Sequence, residues 1–192
     1  MNAEEAFVSA GKDVLLVAAT ERELCGRDGL VCGVGPVEAA AATARALALD
    51  RPEAVLHVGV AGGRGIAPGV VVLGTEAIYC DLSAEIPVVS RLTPDETMLA
   101  ALRAELPDAV CLPIGTSAAV DGPRGSEPEG VAVEAMEGFA VLRACALAGV
   151  RAIEVRAVSN DVDERDRARW QIPLALAALG AALPRLLAVA AK

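Results

Sequence analysis

The sequence predicts an α/β fold, a three-layer sandwich in which helices flank a mainly parallel or mixed central β-sheet. Short apolar runs of strand length alternate along the chain with longer stretches of helical period, the pattern of a sheet covered by helices. Gly, Pro and acidic residues collect at the ends of the strand-like runs, where chain reversals and ligand sites fall in such folds. Hydrophobic residues make up 54% of the 192-residue chain, yet it holds only two Phe, one Tyr and one Trp, so the core is built of Ala, Leu and Val. That length suits one domain with a sizeable core, and with no linker or repeat in sight the domain is expected to span residues 1–192.

The elements follow in order. Residues 13–19 (DVLLVAA) read as a strand buried on both faces, followed by the polar turn TERE. Residues 30–33 are a second short apolar run ending in GVGP, and residues 37–49 are a helix with Pro36 at its first turn. Residues 54–60 are a buried strand ending in AGGRG, and residues 69–78 are β-rich. Residues 93–106 open with a cap-and-Pro signature and read as helix, and residues 109–115 as strand. Residues 117–130 are rich in Gly, Pro and charge and read as a loop. Helix 136–148, strand 152–158, the charged stretch SNDVDERDRARW and a final helix complete the chain.

Composition excludes several classes. A net charge of −9 with no basic face argues against a nucleic-acid or membrane-surface partner. The most apolar stretch, residues 172–191, is interrupted by Pro173, Pro184 and Arg185 and reads as a buried helix rather than a membrane span. The N-terminal MNAEEAFVSAGKD carries acids where a signal peptide needs basic residues, so a cytoplasmic location is expected. Five Cys without a CxxC pair fit reduced core thiols. The single histidine, His57, reads as a packed residue near a strand end, and neither a metal site nor a cofactor is expected.

Five clusters stand where strands end or a helix begins: TERE (20–23), GVGP (33–36), AGG (61–63), Met136–Glu137 and SND (159–161). The fold predicts that they converge. GVGP lacks the third glycine of a dinucleotide loop and fits a tight turn, and AGG serves either a tight bend or a close backbone approach to a ligand. Glu23 on its own fits a solvated acid capping a helix start. Glu137, between Met, Gly and Phe, is a carboxylate in apolar surroundings and needs partners: the dipole of a helix N-terminus, or two ligand hydroxyls such as those of a ribose. SNDVDERDRARW is either a solvated loop with local ion pairs or a base-facing lip with an Arg-rich flap.

Taken together, ATERE (19–23), GVGPVEAAAAT (33–43), HVGVAGGRGIAPGVVVLGTEAIYCD (57–81), VEAMEGFAV (133–141) and VRAVSND (155–161) resemble the nucleoside phosphorylase/nucleosidase superfamily nearly end to end. Two bacterial groups of it are close, the methylthioadenosine/S-adenosylhomocysteine nucleosidases and the futalosine hydrolases. The second is favoured by ATERE, by EAMEGFAV, where Ala135 replaces an Asn of the pattern, and by SNDVDERDRARW. The resemblance implies a nucleoside phosphorylase-like fold and cleavage of the glycosidic bond of a 5′-modified purine nucleoside, with release of hypoxanthine from futalosine in menaquinone biosynthesis. It implies that Glu137 binds the ribose hydroxyls with Met136 on the sugar face, and that Glu23 activates water. Backbone at Ala61 and Gly62 would approach the sugar or water. Asn160 stands where the adenine-releasing enzymes carry an Asp; its amide can donate to O6 of a 6-oxopurine and pair with N7, and a register shift of one residue would put Asp161 there instead. Arg165 or Arg167 either pairs with a neighbouring acid or holds the carboxylate of futalosine's benzoate arm, with Trp170 as a packing wall.

A phosphorylase needs a basic phosphate cradle. The first turn offers Arg22 between two acids, and VAGG lacks the serine of the related phosphorylases, so water is the expected nucleophile. The alternatives are a methylthioadenosine/S-adenosylhomocysteine nucleosidase, a purine nucleoside phosphorylase or, outside enzymes, a decayed nucleoside-binding protein. The resemblance also implies a homodimer or higher homo-oligomer whose partner loop closes the pocket.

Overall fold

The computed structural model describes residues 13–82, 84–119 and 131–192. Most of the predicted loop 117–130 therefore lies outside the described residues. Among the described residues eight strands and four helices follow one another: β1 (Val14–Ala18), β2 (Leu30–Val31), α1 (Pro36–Leu49), β3 (Ala54–Gly63), β4 (Val71–Tyr79), β5 (Arg91–Leu92), α2 (Glu96–Glu105), β6 (Val110–Thr116), β7 (Val133–Ala135), α3 (Gly138–Ala148), β8 (Arg151–Asn160) and α4 (Ile172–Ala190). Single 3-10 turns sit at Glu21–Leu24 and Arg167–Arg169.

The sheet is mixed, as predicted. β1 pairs in parallel with β2 and β3, and β3 with β8, while β4 runs antiparallel to both β5 and β8. The sheet also closes on itself: β3, β8, β4, β6 and β7 pair in a ring, which β7 completes by joining β6 in parallel and the end of β3 antiparallel. β7 belongs to the stretch expected to lead directly into the third helix. Three residues are too few to show a period of two, and their partners Gly62, Gly63 and Ile114–Thr116 are far away in sequence. The helix accordingly starts at Gly138, not at residue 136. α2 likewise starts later than expected, at Glu96, because Asp95 caps it by accepting from Met98 N at 2.8 Å, an interaction worth about 1 kcal/mol.

Alternation along the central strands builds two cores. Leu56 and Val58 of β3 and Ile153, Val155 and Ala157 of β8 point to α2 and α4, where they meet Met98, Leu102, Leu179, Leu183 and Leu186. Each such fully buried aliphatic contributes about 1.5–3 kcal/mol. Val55 and Ala152 point the other way and pack with Ala39 and Leu47 of α1 and Phe139, Val141 and Cys145 of α3. α4 is long and apolar enough to cross a membrane by length and composition alone, but Ala175, Leu179, Leu183 and Leu186 form one face buried over β3 and β8. The face toward α1 and α3 differs in kind: with a side-chain period of two, it also receives His57 and Gly59 from β3 and Glu154 and Arg156 from β8.

Candidate active site

A cavity of about 380 Å³ opens at the strand ends, within the size range of small-molecule sites. All five clusters supply its wall: Thr20, Arg22 and Glu23 after β1, Val34 before α1, Ala61 and Gly62 at the end of β3, Met136 and Glu137 between β7 and α3, and Ser159 and Asn160 at the end of β8. Ser117, Glu134, Val162 and Trp170 complete much of the rest.

Glu23 is 7% exposed and held on both oxygens. Thr20 donates to Oε2 through its backbone N–H at 3.0 Å and its hydroxyl at 2.8 Å, and Val60 N–H donates to Oε1 at 2.9 Å. The capping function expected of a lone acid is therefore real, and the bond from β3 fixes the same carboxylate against the cavity.

Glu137, 4% exposed, precedes α3 but does not cap it with its side chain. Its Oε1 accepts from Gly35 N–H at 3.0 Å, which gives the GVGP turn its task, and its Oε2 faces Arg156 Nη2 at 3.4 Å. Thr116 Oγ1 accepts from Phe139 N–H at the start of the helix instead. The cation that the Glu137 environment demands thus comes from β8, 19 residues downstream.

Arg156 is fully buried and is the hub that sequence reasoning missed. Its Nε donates to Glu154 Oε1 at 2.7 Å, and its Nη2 lies 2.5 Å from His57 Nε2. A guanidinium only donates, so His57 Nε2 accepts and Nδ1–H donates to Val17 O at 3.1 Å. Burial first, and the Arg156 charge second, hold His57 well below its usual pKa, in the neutral state. Burial works against the charge on Arg156, but Glu154, Glu137 and Glu23 together raise its pKa above the usual value. Burial raises that of Glu154, with Arg156 acting in the opposite sense. His57 is thus packed as expected, fully buried, but it sits in the middle of β3 and pairs with Arg156. The signal was present: Glu154 and Arg156 stand two apart inside an otherwise apolar buried strand, and buried charges must pair.

Gly59 makes this proximity possible. A methyl group on its Cα would overlap Arg156 Nη1 and lie 2.6 Å from Glu23 Oε1. Glu23, Arg156 and Glu137 therefore form one continuous charged layer, with the two carboxylates on the cavity wall and Arg156 behind them.

Asn160 is 8% exposed and lines the cavity. Its Oδ1 lies 2.6 Å from Ser159 Oγ, and its Nδ2 donates to Asp161 O at 2.8 Å, which leaves one N–H of the amide for a ligand. Asp161 is exposed, off the cavity wall, and accepts from Asp163 N–H through Oδ1 at 2.9 Å. Arg165 is likewise exposed and off the wall. In the flap Arg169 pairs with Glu164, at 2.9 Å, and Arg167 lies over the Trp170 ring at 5.6 Å. Trp170 does line the cavity, its Nε1–H donating to Glu164 O at 3.0 Å. Arg64, the other cation near the AGG turn, is paired with Glu134 at 2.7 Å.

Fold and site define the class. The sequence pattern of the phosphorylase superfamily matches residues 24–191, and the chain belongs to that family. Futalosine hydrolase of Streptomyces coelicolor is 40% identical to it over 208 aligned positions, spanning 94% of this chain and 87% of the relative. Two solved structures share the fold. S-adenosylhomocysteine nucleosidase from Streptococcus pyogenes, in complex with 5-methylthiotubericidin, matches with a TM-score of 0.79 at 19% identity, over 95% of this chain and 97% of the other. Futalosine hydrolase of Helicobacter pylori strain 26695 matches with a TM-score of 0.80 at 14% identity, over 91% and 97%.

Proposed function

We propose that this chain is a purine nucleosidase that hydrolyses futalosine to hypoxanthine and dehypoxanthine futalosine in menaquinone biosynthesis, in the cytoplasm and without a cofactor. The observation that carries the reading is an amide, Asn160, on the cavity wall that Glu23 and Glu137 share. The 40% identity to the Streptomyces coelicolor enzyme supports it.

In this reading the ribose lies over Met136, and its 2′- and 3′-hydroxyls donate to Glu137, on acceptor sites left beside Gly35 N–H and Arg156. Glu23, already fixed by three donors, accepts a proton from water as the water oxygen bonds to C1′. The C1′–N9 bond breaks, its electron pair leaves with the base, and the departing purine anion takes a proton from solvent water to become hypoxanthine, while Glu23 returns its proton to solvent. Positive charge on the ribosyl ring is stabilised by the two carboxylates. The remaining Asn160 N–H donates to N7 or O6 of hypoxanthine, and Ala61 and Gly62 bring backbone close to the sugar or water. Asn160, and not the outward-facing Asp161, then meets the base. Arg22, the cation on the wall among the described residues, is better placed than Arg165 for the carboxylate of the benzoate arm. Water rather than phosphate fits a cavity with a single lining cation among the described residues and with Arg64 already paired.

We further propose a homodimer that covers the cavity mouth, supported by Val34 and Val37, which are 56% and 77% exposed beside it. Reaction in ¹⁸O-labelled water tests the nucleophile: label on the sugar product and turnover independent of phosphate are expected, whereas a sugar 1-phosphate would make the enzyme a phosphorylase.

A further inference from the structure

Glu154 has no task in the reaction as described. It is 1% exposed, off the cavity wall, and among the described residues only one of its oxygens is used: Oε1 accepts from Arg156 Nε at 2.7 Å, while Oε2 has no hydrogen-bond partner there. A buried carboxylate with half its acceptors unmet is costly, so mere filling of space would favour an apolar side chain. The surrounding fold is nevertheless shaped to admit it. Any side chain at Gly138, the first residue of α3, would overlap the Glu154 carboxylate.

The guanidinium of Arg156 shows what this arrangement achieves. Glu154 holds it at Nε and His57 at Nη2. With those two atoms fixed, the plane cannot rotate, and Nη1 stays over Gly59 beside Glu23 while Nη2 stays toward Glu137. Freed at Nε, the same group could swing about its long side chain, and the 3.4 Å contact to Glu137 is the one it would lose first.

We propose that Glu154 is a positioning residue for ribose recognition: it fixes the rotation of the Arg156 guanidinium, and Arg156 sets where the Glu137 carboxylate meets the 2′- and 3′-hydroxyls. The proposal rests on Glu137 binding those hydroxyls. Glu154 acts wholly through Arg156 and does not touch substrate.

The readout is discrimination between futalosine and its 2′-deoxy analogue, as the ratio of kcat/KM values on folded enzyme. Glu154→Leu lowers that ratio by about tenfold or more, and Glu154→Gln, which keeps an acceptor for Nε, holds it within about threefold of wild type. A structural role alone would reduce the yield of folded protein and leave the ratio unchanged. Should Glu154→Leu not fold, because Arg156 loses its nearest anion, the comparison of Arg156→Met/Glu154→Gln with Arg156→Met/Glu154→Leu decides, since neither keeps the buried cation or leaves Glu154 as an unpaired buried carboxylate. The two then give ratios within about twofold of each other, and a larger difference would show that Glu154 acts by another route. Glu137→Gln is the control. If it leaves the ratio intact, the hydroxyl-binding reading fails and takes this inference with it. If it collapses the ratio while Glu154→Leu does not, the positioning inference alone is overturned.

Discussion

Gly59→Ala is the sharpest perturbation of the charged layer, because it adds one methyl group and removes nothing. The new Cβ would overlap Arg156 Nη1 and lie 2.6 Å from Glu23 Oε1. Ordinary contact needs about 3.5 Å, so the carboxylate must retreat by about 1 Å. Glu23 cannot do so without loosening its 2.9 Å bond from Val60 N–H on the same strand, and Arg156 cannot without straining its bonds to Glu154 and His57. Overpacking of this kind costs about 1–3 kcal/mol. At about 2–4 °C per kcal/mol for a domain of this size, Tm falls by about 2–12 °C. A misplacement of about 1 Å in a group that orients water costs about 100-fold in kcat. A thermal melt and steady-state kinetics below the melting range measure both. A variant that melts lower but retains kcat within about threefold of wild type would refute the placement of Glu23 and Arg156 in the reacting site.

Arg22→Met should raise KM for futalosine about tenfold or more while leaving inosine nearly unchanged, and Arg165→Ala should affect neither; the reverse pattern would return the arm's carboxylate to the flap. Asn160→Asp should weaken hypoxanthine release and create adenine release from methylthioadenosine, measured by chromatography of the bases, whereas an unchanged product spectrum would remove Asn160 from the base contact. The lowered pKa of His57 means that the unfolded chain binds the extra proton, so its contribution to stability is present above about pH 6.5 and is lost below it, at up to about 1.4 kcal/mol per pH unit. The raised pKa of Glu154 works in the opposite sense from about pH 4.5 upward, so denaturant melts of Glu154→Gln between pH 5 and 7 should show the steeper acid dependence. Cys32 and Cys145, with thiols pushed up to about 12 chiefly by burial, should resist alkylation in native protein at pH 8 and react on unfolding.

What was legible in the sequence follows from where the chemistry interrupts the hydrophobic pattern. Glu23 stands in a polar turn after an apolar run, Glu137 next to Gly138 and Asn160 next to Ser159, so each announces itself locally, and the α/β alternation predicts that such strand ends share one edge. Arg156, Glu154 and His57 sit inside apolar runs, and His57 meets Arg156 across 99 residues. Their pairing is a property of the β3–β8 register and not of either segment alone. β7 and the closure of the sheet were hidden for the same reason, because three residues carry no period and their partners are remote. Asn160 and Asp161 could not be separated by pattern. Backbone geometry separates them, turning Asp161 out toward Asp163 N–H. The flap was read only in outline: its acids and arginines do form local pairs, among them Arg169 with Glu164, and Arg167 lies over the Trp170 ring.

The most direct test of the account is the base released, in phosphate-free buffer, from futalosine, inosine, methylthioadenosine and S-adenosylhomocysteine assayed side by side. The account predicts hypoxanthine from futalosine with a kcat/KM far above that of the other three. Efficient adenine release from methylthioadenosine or S-adenosylhomocysteine, with futalosine inert, would contradict it and make the chain an adenine-releasing nucleosidase.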